Sequence, residues 1–355
     1  TSTPANEADG AAVALKGQTF GNEYTGTVGA DGKLSLGEVW RDVYKVTVSK
    51  PGFTTFTAEH DATKGETATV NAVLDEYRVD PFGLEVSKTS TAGQRKFVWN
   101  TPNYLFDDFE GYEAFAVNSP GTIGWTYIPP PATIPIDGVN YPNAGAEMAF
   151  QVFNPYETDP VLGVINEGIR PHSGKQFLAS FAKENSSVYN NDFIISPELS
   201  FAKDFTFKFF AKSFNEDYGR EKMNAGYSTT GKAADNFTWL NGDNPVELPM
   251  GEWTEYRYTV PAEAKYVAIN CVSDYLLFMM VDDVFVGYEL PDGVNPDNIR
   301  GDLKFGVYLD GNKVAEQTER SFTFDKLQNG THRAGVKALF HTEASPLVET
   351  EFVVT

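Results

Sequence analysis

Along most of the chain, apolar residues alternate with polar ones in short runs bounded by Gly, Pro, Asn and Asp, and amphipathic helical spacing is rare. Period-two alternation with turn residues between runs predicts strands rather than helices. The first runs are Ala12–Leu15, Tyr24–Val28, Lys33–Leu36, Tyr44–Ser49, Thr54–Glu59 and Ala68–Leu74, with Asp31-Gly32 marking a hairpin turn. Two more, Gly83–Ser87 and Lys96–Asn100, stand without partners, and two strands alone cannot bury a core.

A longer set follows: Leu105–Phe109, Phe177–Phe181, Asn191–Ile195, Phe205–Ala211, Lys222–Ser228, Trp253–Val260, Tyr266–Val272 and Phe278–Val286. Eight such strands predict a jelly-roll sandwich. The interval between Tyr112 and Gly174 has few strand signals and predicts loops laid over one end or face. The tail adds Leu303–Leu309, Lys313–Glu316, Ser321–Phe324, His332–Phe340 and Leu347–Val354.

The fold class read from this pattern is all-β. It comprises three parts: residues 1–78; residues 79–103 together with 300–355, as one interrupted domain; and residues 104–289 as the inserted module. In the alternative reading, residues 79–103 pack on the first part. Residues 1–10, small and polar, predict a flexible tether.

Charge narrows the function. With 28 Lys and Arg against 49 Asp and Glu, the net charge of the 355-residue chain is −21, and no basic cluster offsets it. Such a surface repels phosphate backbones and anionic lipid, so nucleic acid and direct membrane binding are not expected. No run reaches the roughly 18 to 20 apolar residues of a membrane span. The chain begins at Thr1 without methionine, as a mature chain would, so the absence of a visible signal peptide does not argue against export. The single cysteine, Cys271, lies in an apolar run and reads as a buried hydrophobe.

Candidate chemistry lies at the two ends of the long strand set. Asp107, Asp108 and Glu110 near the first strand and Asp282 and Asp283 in the last interleave with apolar side chains. Either the two strands are neighbours and their carboxylates share a cation, or the carboxylates alternate out to solvent. No nucleophile elbow, zinc-protease helix, phosphate loop or dinucleotide fingerprint occurs, and the four histidines are scattered. No paired-Glu motif marks a glycosidase. The chain therefore reads as non-catalytic. Trp125 and Trp239 are the candidate ligand-binding aromatics, on the ground that ring faces stack on sugars or anchor protein contacts; packing under their own loops is the alternative.

Three resemblances refine these expectations. Thr25-Gly26-Thr27-Val28, Asp31–Leu36 and Tyr44–Phe53 resemble carboxypeptidase regulatory-like, transthyretin-like domains, which implies a spacer without an active site. The tail together with Gly83–Ser87 and Lys96–Asn100 resembles a fibronectin type III domain, Trp99 standing where that family has its strand B tryptophan. His332 stands where the family has a phenolic residue.

Asp107-Asp108-Phe109-Glu110, His172-Ser173-Gly174-Lys175, Asn191–Leu199, Gly251-Glu252-Trp253 and Val281–Val284 resemble the cleaved-adhesin, or choice-of-anchor, domains of Bacteroidetes surface proteins, which include gingipain haemagglutinin modules. This last resemblance implies a structural Ca2+ between first and last strands, on Asp107, Glu110, Asp282 and Asp283. It also implies a secreted or cell-surface adhesin that recognises host protein or glycan. The alternative is an accessory carbohydrate-binding module or glycoside hydrolase of a surface glycan-utilisation system.

Overall fold

The computed structural model describes residues 8–65, 67–128, 131–183, 189–214, 219–341 and 343–355. Most of the tether expected over residues 1–10 lies outside them. The protein is all-β, built of antiparallel sheets in sandwich-like domains. It divides into two compact units, one of residues 1–102 and 290–355, the other of residues 103–289.

The first sheet has the order β2-β1-β3-β4, with β1 Ala12–Gly17, β2 Glu23–Thr27, β3 Val43–Ser49 and β4 Phe56–Asp61. Alternation decides what it buries: Tyr44, Val46 and Val48 of β3 turn inward, where Leu15, Leu34 and Phe56 pack on them. Residues 33–36, expected to pair as a strand, form none. The turn at Gly29–Gly32 is present, but Leu34 and Leu36 reach over Gly26 and cover the sheet instead of extending it. Residues 68–74 likewise form no strand and are largely exposed.

β5 Glu85–Lys88 and β6 Arg95–Val98 follow. Next come the strands of the inserted unit: β7 Tyr104–Asp107, β8 Thr126–Ile128, β9 Gln151–Phe153, β10 Phe177–Phe181, β11 Asp192–Ile195, β12 Phe205–Ser213, β13 Lys222–Ser228, β14 Thr238–Trp239, β15 Val246–Glu247, β16 Thr254–Val260, β17 Tyr266–Cys271 and β18 Phe278–Gly287. They form two sheets. One has the order β16-β12-β18-β10-β9, with β7 also on β18; the other has β14-β13-β17-β11-β8, with β15 on β13.

Between these sheets lies a core to which both contribute: Phe207, Phe209, Val281 and Val284 from one, Ile194, Met223, Ile269 and Cys271 from the other. Each such side chain taken from water contributes about 1.5–3 kcal/mol. Described parts of the chain between Tyr112 and Gly174 that lie outside β8 and β9 pack on the outer surface of β9 and β10. There Phe115, Tyr141, Leu162 and Ile169 close over Phe153, Phe177 and Phe181 as a second core.

The tail strands are β19 Lys304–Leu309, β20 Asn312–Gln317, β21 Ser321–Phe324, β22 Gly330–Leu339 and β23 Val348–Val354. Their four-stranded sheet has the order β20-β19-β22-β23, while β21 pairs with β6, and β6 with β5, as a second sheet. Trp99, fully buried, shares one core with Phe305 and Val336, its ring 5.6 Å from that of Phe305. Both ring nitrogens of His332 face acceptors, the Asp310 carboxylate at 2.8 Å and the Gln328 carbonyl at 2.9 Å, and the ring stacks on Phe352. Among the described residues, no helix is long and apolar enough to cross a membrane.

Candidate functional site

Strand alternation should send Asp282 and Asp283 to opposite faces of their sheet. A bulge prevents it: the β12–β18 register shifts between Lys208 and Phe210, and Asp283 takes a left-handed φ of 49°. Both carboxylates therefore reach the same turn. Asp282 accepts the N–H of His172 at 2.9 Å and of Ser173 at 3.2 Å; Asp283 takes the Ser173 hydroxyl at 2.8 Å and contacts the His172 ring. Glu110 grips the other end of that turn, accepting the N–H groups of Lys175 at 2.8 Å and Gln176 at 2.9 Å. Burial, then the charge of Asp283, push the Asp282 carboxyl up to about 8, against the pull of its backbone donors.

Asp107 is not part of this cluster. Its carboxylate accepts the Phe109 N–H, the Tyr112 hydroxyl at 2.5 Å and the Trp125 indole N–H at 2.7 Å. Among the described residues, no three His, Cys, Asp or Glu side chains come together in an arrangement that could hold a metal ion. The donor type still suits a hard cation: Glu110, Asp282 and Asp283 are carboxylates around one turn.

Trp125, expected on a ligand surface, is 5% exposed, and its indole N–H is committed to Asp107. A ring so enclosed lends no face to a ligand. Trp239 is half-buried. Its ring lies flat on Gly226, where a Cβ would fall 2.6 Å from it, and packs beside Phe193 and Phe237.

Next to Trp239, on the outer face of its sheet, runs a row of carboxamides that sequence reasoning missed. Asn224 of β13 lies opposite Asn270 of β17. Asn270 donates to Asn191 at 3.0 Å, and Asn241 donates to Asn224 at 3.0 Å. Only the ends of the row reach solvent, Asn191 exposed at one end and Asn241 half-exposed at the other, while Asn224 and Asn270 between them are buried. The signal was available: asparagine is depleted in strands, yet two stand inside strands on the face turned from the core. Gly226 and Ala268, paired in the next row between Trp239 and Ile195, are buried, Ala268 and Ile195 in a small cluster with Phe193 and Phe237 against which Trp239 packs. What the face presents is the half-buried Trp239 ring and the carboxamides of Asn191 and Asn241.

No family model matches the chain, and no curated protein matches it. Among solved structures it is similar to a cleaved adhesin domain of Lys-gingipain, at 18% identity and TM-score 0.37, over 52% of this chain and 99% of that one. It is also similar to a cleaved adhesin domain of Lys-gingipain from Porphyromonas gingivalis, at 19% identity and TM-score 0.35, over 53% and 100%. A third is the C-terminal family 22 carbohydrate binding module of Xyn10B from Clostridium thermocellum, at 12% identity and TM-score 0.25, over 51% and 97%.

Proposed function

We propose that this chain is a non-catalytic, adhesin-like binding protein, secreted or displayed on a bacterial cell surface, whose central sandwich recognises a host protein or glycan. The supporting observation is the outer face where the half-buried Trp239 stands near the accessible ends of the asparagine row, Asn191 and Asn241, which the buried Asn270 and Asn224 connect. Carboxamides donate and accept without charge, and an aromatic face beside them adds stacking and burial. The test is an array of glycans and extracellular host proteins probed with the full chain and with Trp239→Ala. Binding lost in the variant supports the reading. No binding to any member, or binding indifferent to Trp239→Ala, sinks it.

The same reading includes a structural Ca2+ held by Glu110, Asp282 and Asp283, where it would neutralise the paired aspartates and tie the His172–Gln176 turn to β18. Asp107 is left out because Tyr112 and Trp125 occupy it. Calcium that binds only the native state must raise its unfolding temperature. An upward shift on adding calcium, reversed by chelator and absent in Asp282→Asn, is expected. Unchanged melting would remove the cation.

The second reading is an accessory carbohydrate-binding module or a glycoside hydrolase. Against hydrolysis stands the use of these carboxylates: one oxygen of Asp282 and one of Glu110 each accept two backbone N–H groups of one turn, and Asp283 takes that turn's Ser173 hydroxyl. Turnover of a glycan panel, lost in Glu110→Gln with folding intact, would favour the hydrolase.

A further inference from the structure

Within the central unit, three buried polar side chains converge on one oxygen of a fourth. Asp192 Oδ2 takes the Lys183 ammonium at 2.7 Å, the Ser180 hydroxyl at 2.6 Å and the Asn190 amide at 2.9 Å. Its other oxygen, Oδ1, is buried as well and has no hydrogen-bond partner among the described residues. An orphaned acceptor is costly to bury, and so is an enclosed pair of charges. Lys183 follows β10 and Asp192 opens β11, and these strands belong to different sheets.

We propose that the Lys183 amine and the Asp192 carboxyl condense to an amide, a covalent cross-link between the two sheets of the central sandwich, with the ion pair as its reactant state. Nζ already touches Oδ2, so the carboxyl carbon lies one bond farther on, held in place for attack. Proton transfer within the pair gives the neutral amine and acid, the forms that burial favours. The amine lone pair attacks the Asp192 carboxyl carbon, the C–N bond forms and the C–Oδ1 bond breaks. Of the three ammonium protons, one stays on the amide nitrogen and two leave with Oδ1 as water, so no other reactant is consumed. The polar groups of the product already have their partners. Its N–H donates to the Met148 carbonyl, 3.0 Å from Nζ, and Oδ2 becomes the amide oxygen held by Ser180 and Asn190. The atom expelled is the unpartnered one, and two buried charges vanish with it. A proton carrier stands on the same side of the sheet. Asp192 lies opposite Cys271 and Cys271 opposite Met223, and alternation places the buried Glu221, two residues before Met223, on their inward face. Burial above all, with the Asp192 charge adding to it, pushes the Glu221 carboxyl up to about 7. It therefore holds a proton to lend to Oδ1 and recover from the nitrogen.

The test is denaturing mass spectrometry of the purified, folded full chain. The expected intact mass is one water below that of the sequence, with no such deficit in Lys183→Arg. Trypsin, which cuts only after an unmodified lysine, should leave residues 176–203 as one peptide, and a second cut after Glu184 should leave its two halves joined. Glu221→Gln should hold a larger fraction of chain at full mass. The digest of the parent protein decides whether the bond exists, whether or not a variant folds. Parent protein at full mass and cleaved after Lys183 overturns the proposal. A water deficit with Lys183 still cleaved places the loss elsewhere and overturns it too. Complete bonding in Glu221→Gln removes that carboxyl from the step.

Discussion

The Lys183 ammonium lies 2.7 Å from Asp192 Oδ2, with both side chains wholly buried. Ser180 and Asn190 add hydrogen bonds to that oxygen, and Lys183 also donates to the Met148 carbonyl at 3.0 Å. Burial still pushes the Asp192 carboxyl up to about 6 in spite of the lysine. Desolvation therefore outweighs the attraction, as expected of an enclosed pair. Removing one partner leaves a charge with no water to receive it. Lys183→Met is expected to cost about 3–5 kcal/mol in urea unfolding, and Lys183→Met with Asp192→Asn is expected to recover part of it. A single-variant loss below 1 kcal/mol would show the pair to be solvated.

Trp125 serves Asp107 rather than a ligand. Trp125→Phe keeps the ring in its core and removes one hydrogen bond to a carboxylate, an expected loss of about 1.5–3 kcal/mol. Binding on the array should be unchanged once the variant is compared at a temperature where it is folded. A drop in affinity without a drop in stability would restore Trp125 to a ligand surface.

Glu221 makes the central unit sensitive to pH. Burial pushes its carboxyl up to about 7 from an ordinary 4.5, although the Ser273 side chain and the Leu277 N–H pull the other way. Between those two values the folded state holds a proton that the unfolded state has released. Stability therefore falls as pH rises through that window. Asp282, raised to about 8, acts with the same sign. Urea midpoints should decline from pH 5 to pH 8, and Glu221→Gln should make the decline shallower. A midpoint that rises over that range would contradict the assignment.

Trp99 connects parts of the chain that are far apart in sequence. Its N–H donates to the Arg320 carbonyl at 3.1 Å, and its ring shares the core of β19 and β22. Trp99→Ala should cost about 3–5 kcal/mol. It should also raise hydrogen exchange across residues 304–309 and 330–339, more than two hundred positions downstream. Exchange that changes only near residues 85–98 would mean those strands stand apart from the tail.

The legible part of this molecule is the part that one strand and its neighbours decide. All eight strands expected between Leu105 and Val286 are present within a residue or two of their expected ends, because alternation is a local property and turn residues interrupt it. Short strands that lean on others were not legible. β8, β9, β14 and β15 each have two or three residues, too few for a period to register, and they exist because longer neighbours offer a paired edge. Residues 33–36 alternate well and still form no strand, since covering Gly26 satisfied their leucines.

At the candidate sites the same division holds. Composition and pattern identified carboxylates at the first and last strands of the central unit, and those strands are hydrogen-bonded neighbours. Which carboxylates meet was decided by the bulge at Asp283, because one residue out of register turns a side chain to the other face. The burial of Trp125 depended on Asp107 and Tyr112 folding beneath it, and the asparagine row on three segments being brought side by side. By itself the sequence determined the all-β class, the positions of the eight longer strands of the central unit and the absence of catalytic motifs, all consequences of local periodicity and residue chemistry. Only the tertiary structure decided which side chains share a face, because strand pairing and register are long-range choices that no single stretch of chain contains.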